Sequence, residues 1–301
     1  MQQQHGHGSP RLELVNLGSG SGGNCSLLLA EFGGQTRRIL VDCGFSMRRT
    51  TNALSEFDVE LQDIDGIVLT HLDRDHFNPS WSRRIGQLGI PVHVTTAHRS
   101  GAIGAGCPED CLRPFMDEID LGIGLLARTH LVAHDDSGCV AYRFELEGRS
   151  LGFATDLGHV PDTLISFLEG IDVLAFESNY DRSMQMQSER PEFLKRRIMG
   201  GQGHLSNEQS LHAVLRIDRT SNLQHVVLLH LSRQCNEPSR ITELYAACAP
   251  HLLERLVITG QNAPSRKVRV EVEVKRNPGD SVLDAPEDLE RTIGKSLKET
   301  G

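Results

Sequence analysis

No stretch of the 301-residue chain approaches the roughly 20 continuous apolar residues that span a bilayer, so a membrane helix is excluded. The opening MQQQHGHGSP has no apolar core, so no secretory signal is expected. Cysteine is neither abundant nor paired. Cys25, Cys43, Cys107, Cys111, Cys139, Cys235 and Cys248 are odd in number and scattered, which argues for reduced thiols in a cytoplasmic protein rather than a disulfide framework. Basic charge is in deficit, with 31 Lys and Arg against 40 Asp and Glu for a net −9. That balance argues against a broad basic face and tight, sequence-blind duplex binding. It does not exclude a nuclease, because catalytic metals need carboxylates and return positive charge locally.

With 38% hydrophobic and 24% charged residues, the chain can bury a core, and wholesale disorder is excluded. No repeat or linker divides residues 11–262, which read as one domain. Residues 1–10 read as a flexible polar leader, and 263–301 as an edge strand, alternating over 268–274, with a charged, poorly ordered tail. Fourteen histidines are the unusual figure, and several stand beside aspartates at the ends of apolar runs.

Short strands over 12–15, 25–30 and 38–41, separated by turn signals, suggest a meander. Apolar spacing predicts helices over 46–62, 79–88 and 207–217. Further strands are expected over 64–70, 90–95, 131–133, 139–146, 150–154, 171–176 and 226–229. At Asp42, His71, His134, Asp156, Glu177 and His230, a metal-capable side chain stands at or just past the end of an apolar strand. Strand ends gathered on one rim of a sheet make a natural floor for a site.

The densest signal is Thr70-His71-Leu72-Asp73-Arg74-Asp75-His76, with four potential ligands within six residues on the turn after a strand. Imidazole suits Zn, Mn and Fe, and carboxylate favours the harder members of that set. The bland alternative is a helix N-terminus where Asp73 and Asp75 merely satisfy orphan N–H groups. The distant partners Asp42, His134, Asp156 and His230 weigh against it.

In this order Asp42, an HxDxDH turn, His134, Asp156 and His230 resemble the metallo-β-lactamase fold superfamily. More narrowly, the chain resembles its WalJ/YycJ-like exonuclease branch. The resembling segments are LGSGSGGN at 17–24, LVDCG at 40–44, the HxDxDH turn, His134-Asp135, Thr155-Asp156, FESNYD at 176–181, GHLSN at 203–207 and LHLS at 229–232. The resemblance implies an α/β fold of the α+β kind, a four-layer αββα sandwich of two mixed sheets between helices. It implies two divalent metal ions (Zn, Mn or Fe), one held by His71, Asp73 and His134 and the other by Asp75, His76 and His230, with Asp156 bridging. Asp42 matches a position that orients the ligands from behind. The residues alone yield the set but do not divide it between metals, and nearby His130 competes with His134. The usual motif is HxHxDH, so Asp73 replaces a histidine. An aspartate hardens the site and turns expectation from zinc alone toward manganese or iron.

The implied activity is a metal-dependent phosphodiesterase or nuclease acting on nucleic acid ends or single strands, a DNA exonuclease in particular. Two neighbouring metals activate a water and neutralise a phosphoryl group. Asp75 would orient that water. His204, paired with Glu177, resembles the Glu/His couple of tRNase Z-like phosphodiesterases and would protonate the leaving oxygen. The plainer reading of His204 is a helix-capping surface residue. The glycine-rich 18–24 loop is either a phosphate cradle of backbone N–H groups or a plain hairpin turn. Arg233 could meet a phosphate or solvent, Trp81 reads as core, and Cys107 with Cys111 as loop. From Asp156 to His204 is only 48 residues, too few for a large inserted cap domain. Two other functions stay open: hydrolysis of a small thioester, lactone or β-lactam, which has less need of a Glu/His acid, and a di-iron redox protein, for which no flavin-binding segment is visible.

Overall fold

The computed structural model describes residues 9–134 and 138–271. The first part of the chain lays down β1 (Arg11–Gly18), β2 (Cys25–Phe32), β3 (Gln35–Val41), β4 (Gly66–Val68), β5 (Val92–Thr95) and β6 (Leu112–Phe115). A second sheet follows from β7 (Glu118–Asp120), β8 (Leu126–Val132), β9 (Cys139–Leu146), β10 (Arg149–Ala154), β11 (Val173–Glu177), β12 (His225–Leu229) and β13 (Leu256–Ile258). β14 (Val268–Arg269) then returns to the first sheet and pairs antiparallel with β1. Each sheet has seven strands, ordered β14-β1-β2-β3-β4-β5-β6 and β13-β12-β11-β10-β9-β8-β7.

The two sheets share one pairing pattern, three antiparallel contacts followed by three parallel ones. The change of direction falls at β3 in one sheet and β10 in the other. Crevices beyond the carboxyl ends of parallel strands are where open α/β sheets bind ligands. Asp42 follows β3 and Asp156 follows β10, so both stand at such an end.

Helices α1 (Met47–Ser55), α2 (Ser82–Leu88) and α3 (Arg99–Gly104) belong to the first half of the chain. The second half contributes α4 (Asp162–Phe167), α5 (Arg182–Gln187), α6 (Glu192–Met199), α7 (Asn207–Ser221) and α8 (Pro238–Cys248). Three apolar layers result. Leu14, Leu28, Tyr142, Phe144 and Val227 fill the space between the sheets. Leu27 and Leu40 meet Trp81 and Ile85 outside the first sheet, and Leu174 meets Leu211, Val214 and Ile241 outside the second. Strands buried on both faces carry near-continuous apolar runs, which is why their ends stand out in the sequence. The architecture is the expected four-layer αββα sandwich. Below the strand ends the sheets are bonded directly, Tyr142 O–H donating to Leu69 O (2.6 Å) and Val140 N–H to Thr70 O (2.9 Å).

Several expectations change in detail. The helix expected over 46–62 ends at Ser55, because Asp58 takes a left-handed conformation (φ 58°) and reverses the chain before a 3-10 turn at Leu61–Asp63. The strand expected over 64–70 pairs only over Gly66–Val68. The edge strand is present at Val268–Arg269, while residues 1–8 of the leader and 272–301 of the tail lie outside the described residues. Trp81 is buried, its indole N–H donating to Phe45 O (2.9 Å), and all seven cysteines are free. Among the described residues no helix is long and apolar enough to cross a membrane.

Gly44 sets how closely the turn at 73–76 approaches the end of β3. A Cβ there would stand 1.7 Å from Asp75 O. Gly44→Ala should therefore destabilise the fold by at least about 1–3 kcal/mol, the cost of overpacking a site that cannot give. Helical Gly104, with nothing within 4 Å of its Cβ position, is the control. Gly104→Ala should be neutral or stabilising by about 0.4–1 kcal/mol, and denaturant titration of both variants checks the contrast.

Candidate metal centre

The strand-end residues turn into the crevice through unusual backbone. Asp42 (φ 62°), Asp156 (φ 54°) and His230 (φ 56°) are all left-handed without being glycine. Such conformations typically cost about 1–3 kcal/mol and cluster where surrounding structure holds a functional side chain in place. Here the restraints are specific: Asp42 N–H donates to Val68 O (3.0 Å), and His230 N–H donates to Ser19 Oγ (2.7 Å).

A buried relay then sets the imidazole tautomers. Thr70 N–H donates to Asp42 Oδ1 (2.8 Å) and the Thr70 hydroxyl to Asp42 Oδ2 (2.9 Å). His76 Nδ1–H reaches the same Oδ2 at 2.7 Å. Since the Thr70 hydroxyl spends its proton on Asp42, its oxygen accepts from His71 Nδ1–H (2.9 Å). Both histidines therefore present a bare Nε2 to the crevice, the form in which imidazole binds a metal. Asn24 agrees, its side-chain N–H meeting His76 Nε2 at 2.9 Å.

Three of the expected residues converge on one side, where His71, Asp73 and His134 offer ligand atoms within 4.8 Å of one another. Asp75, His76 and His230 form a second such group. Asp156 joins His71 and His76 in one further group and Glu177, His204 and His230 in another. Its Oδ2 lies 3.0 Å from His76 Nε2, and its Oδ1 lies 2.8 Å from His230 Nδ1 and 4.0 Å from His134 Nε2. His130, the competitor of His134, stays outside: it stacks on Phe167 and meets Thr163.

The donor set fits divalent cations. His71 Nε2 and His134 Nδ1 are buried with no hydrogen-bond partner, and bare His76 Nε2 faces a carboxylate, a contact that needs a cation or a proton between. The titration tendencies follow from the same crowding. Burial and then the neighbouring His76 hold His71 well below the usual imidazole range. Burial opposes charge on His76 too, yet Asp156 and Asp42 raise it well above that range. Burial also opposes ionisation of Asp156, and His230 and His76 overcome it to hold that carboxyl well below the usual range. Asp73 is raised by burial and by Asp75.

On the flank, His204 Nδ1 lies 2.7 Å from Glu177 Oε1. Glu177 is fully buried, and its other oxygen accepts from Leu157 N–H (2.6 Å). Burial works against the imidazolium of His204, but Glu177 and then Asp156 lift it to about 9. Helix α7 is capped by Ser206, in a reciprocal box with Gln209, so His204 is not the cap. The site opens into a cavity of about 360 Å³ lined by Asp73, Asp75, His134, Asp156 and His204.

The glycine-rich loop spends most of its backbone N–H groups on its own surroundings, and Ser21 alone of residues 18–24 lines the cavity. The N–H groups of Ser19, Gly20, Gly22, Gly23 and Asn24 are spent on Gly260 O, Asn24 Oδ1, Gln261 Oε1, Gly20 O and Asp75 O. The loop instead backs the site, through Asn24 on His76 and Ser19 on His230. Arg233 is exposed and does not line the cavity, whereas Arg190 and Arg197 do. Sequence reasoning missed both. For Arg197 the signal was the basic run KRR at 195–197, inside an interval read only for its length, and Arg190 had none.

A sequence model of the β-lactamase superfamily domain matches residues 37–231. Exodeoxyribonuclease YycJ of Bacillus anthracis is 28% identical over 227 residues, which cover 73% of this chain and 82% of that protein. Exodeoxyribonuclease WalJ of Streptococcus pneumoniae is 28% identical over 232 residues, covering 73% and 81%. Among solved structures, the metallo-β-lactamase fold protein YhfI of Bacillus subtilis aligns with a TM-score of 0.60 at 16% identity, over 86% of this chain and 99% of that one. The last likeness is one of fold.

Two substitutions test the centre by metal content. Asp42→Asn should lower metal affinity about 10–100-fold, the usual effect of losing a group that orients ligands; elemental analysis after graded chelation reads it. Asp73→His should raise zinc occupancy relative to manganese when both ions are offered. An unchanged ratio would put Asp73 outside the metal's reach.

Proposed function

The chain belongs to the β-lactamase superfamily, and from that premise we propose that it is a metal-dependent hydrolase of phosphodiesters, a nuclease, and more narrowly a DNA exonuclease. The observation that carries this reading is the His204–Glu177 pair, 2.7 Å apart on the wall of the cavity beside the carboxylate–imidazole cluster. A phosphodiester has a poor, basic leaving oxygen, so a fixed acid beside the metal site suits it. The two relatives named as exodeoxyribonucleases support the DNA end of the reading. A cavity of about 360 Å³ suits a strand end better than a duplex.

The metals would be held by His71, Asp73 and His134 and by Asp75, His76 and His230, with Asp156 between them. When bound, such ions lower the pKa of water toward neutrality and neutralise phosphoryl charge. The protein groups divide the remaining work. Asp42 and Thr70 fix the tautomers of His71 and His76. Asp75, half-buried with Oδ2 3.6 Å from His230 Nε2, orients the attacking water. His204 keeps Nδ1 on Glu177, so its Nε2–H is free to go to the leaving oxygen, and Glu177 stabilises the imidazolium until then. One domain over 11–262 carries the activity, and seven free thiols agree with a cytoplasmic setting.

His204→Ala should cut phosphodiester cleavage by about 10²–10⁴-fold, the usual contribution of a general acid, while metal content stays near wild type. The loss should shrink for a p-nitrophenyl phosphodiester, whose leaving group needs no proton, and Glu177→Gln should show a milder version of the pattern. Emptying of a metal site by His204→Ala would make His204 a ligand instead. No effect on any phosphodiester would remove the main support for a nuclease.

A further inference from the structure

The acidic cluster covers only part of the cavity lining. Arg190, Leu194, Arg197 and Ile198, on and just before α6, line another part. Arg190 is the notable member. Its Nε–H donates to Gln234 Oε1 (3.2 Å), one Nη to Gln185 Oε1 (3.1 Å) and the other to Ser232 Oγ (3.2 Å). All three acceptors are neutral. They align the guanidinium without cancelling its charge, and a guanidinium has five N–H donors, so about two remain. Its anchors are firm, since Gln185 is fully buried and Ser232 stands two residues past His230, with its own N–H on Asn179 O (2.7 Å). An oriented cation is thus held in fixed relation to the metal-site strand end.

The adjoining surface is apolar where solvent would favour otherwise. Phe193 is 69% exposed and Met186 on α5 is 54% exposed, two of the four large exposed hydrophobics among the described residues. On α6, Leu194, Arg197 and Ile198 share the cavity face by their i, i+3, i+4 spacing. Phe193 lies next to Leu194 and four residues before Arg197, which puts it on the rim. Lys195, nearly buried, donates to Met186 O (2.8 Å) and pairs with Glu192 (3.2 Å), which ties α6 to α5. In a chain of net charge −9, a braced wall of cation and exposed aromatic is a local exception. Charge along the backbone with an aromatic platform for bases is how proteins hold single-stranded nucleic acid.

We propose that the α5–α6 wall is the strand-binding subsite, in which Arg190 grips the phosphate adjoining the scissile one and Phe193 stacks on an unpaired base. This rests on the phosphodiesterase reading above and adds the substrate class, a single-stranded end. The wall meets substrate away from the reacting atoms, so its residues act on binding rather than on the chemical step.

The test is fluorescence anisotropy of a cleavage-resistant, phosphorothioate oligothymidine on the manganese-loaded full chain, with cleavage of bis-p-nitrophenyl phosphate measured alongside. Phe193→Ala should weaken binding about 5–150-fold, the loss of one base–aromatic stack, and should leave an abasic oligomer unaffected. Arg190→Gln should weaken both oligomers and reduce the slope of log affinity against log salt by about 0.7, one phosphate contact on a single strand. Arg190→Lys should restore the slope but not the whole affinity, because the fork geometry is lost. Circular dichroism spectra and thermal melts matching the wild type show that all variants fold. If Phe193→Ala weakens the abasic oligomer equally, or Arg190→Gln leaves the salt slope unchanged, the subsite is overturned while the phosphodiesterase reading stands. If the wild type cleaves no diester, the phosphodiesterase reading fails, and the anisotropy series still decides the wall.

Discussion

Asp42 is 1% exposed and spends its carboxylate on three donors: the backbone N–H of Thr70, the Thr70 hydroxyl and His76 Nδ1–H. A buried charge of this kind is tolerated only when fully hydrogen-bonded, and each of those bonds also orders the crevice. Through Thr70 it reaches His71, and through His76 it reaches Asp156. The protons on His71 and His76 thus follow from satisfying one acid. Remove its charge and the relay loses its direction, although every ligand side chain would remain.

What surrounds that acid is a crowd of carboxylates interleaved with imidazoles. Asp73, Asp75, Asp156 and Glu177 gather around histidines of which two keep a buried nitrogen unpartnered. The four residues differ in exposure, from fully buried Glu177 to Asp73, whose side chain is 57% exposed. The buried acids position imidazoles, while the exposed one lines the cavity. That gradient separates orientation from contact with substrate inside a volume of a few hundred cubic ångströms.

The strand ends were legible in the sequence because both faces of each sheet are buried. Runs such as Ile67-Val68-Leu69 before His71 and Val226 to Leu229 before His230 are apolar without alternation, so the first polar residue marks the rim. The Glu177–His204 pairing was legible from motif order, though not the buried N–H of Leu157 that aims the glutamate. Less could be read where meaning depends on what comes back from far along the chain. The glycine-rich loop suggested free N–H groups, and most prove spent, two of them on Gly260 and Gln261 from far along the chain. His130 and His134 are told apart by the end of β8, which carries the second past the sheet. Arg190 was invisible as a site residue, since its acceptors come from Gln185, Ser232 and Gln234.

The shared pairing pattern of the two sheets has a temporal meaning. His71, Asp73, Asp75 and His76 come from the half of the chain that builds the first sheet, and His134, Asp156 and His230 from the half that builds the second. The groups His71, Asp73, His134 and Asp75, His76, His230 each draw on both halves, so they come together only when the layers close on each other through contacts such as Tyr142 O–H to Leu69 O. A nascent chain that has made only β1 to β6 carries just the first-half members of those groups. An ion held by either of these groups would be taken up only at that closing stage, and it would help hold the two halves of the molecule shut.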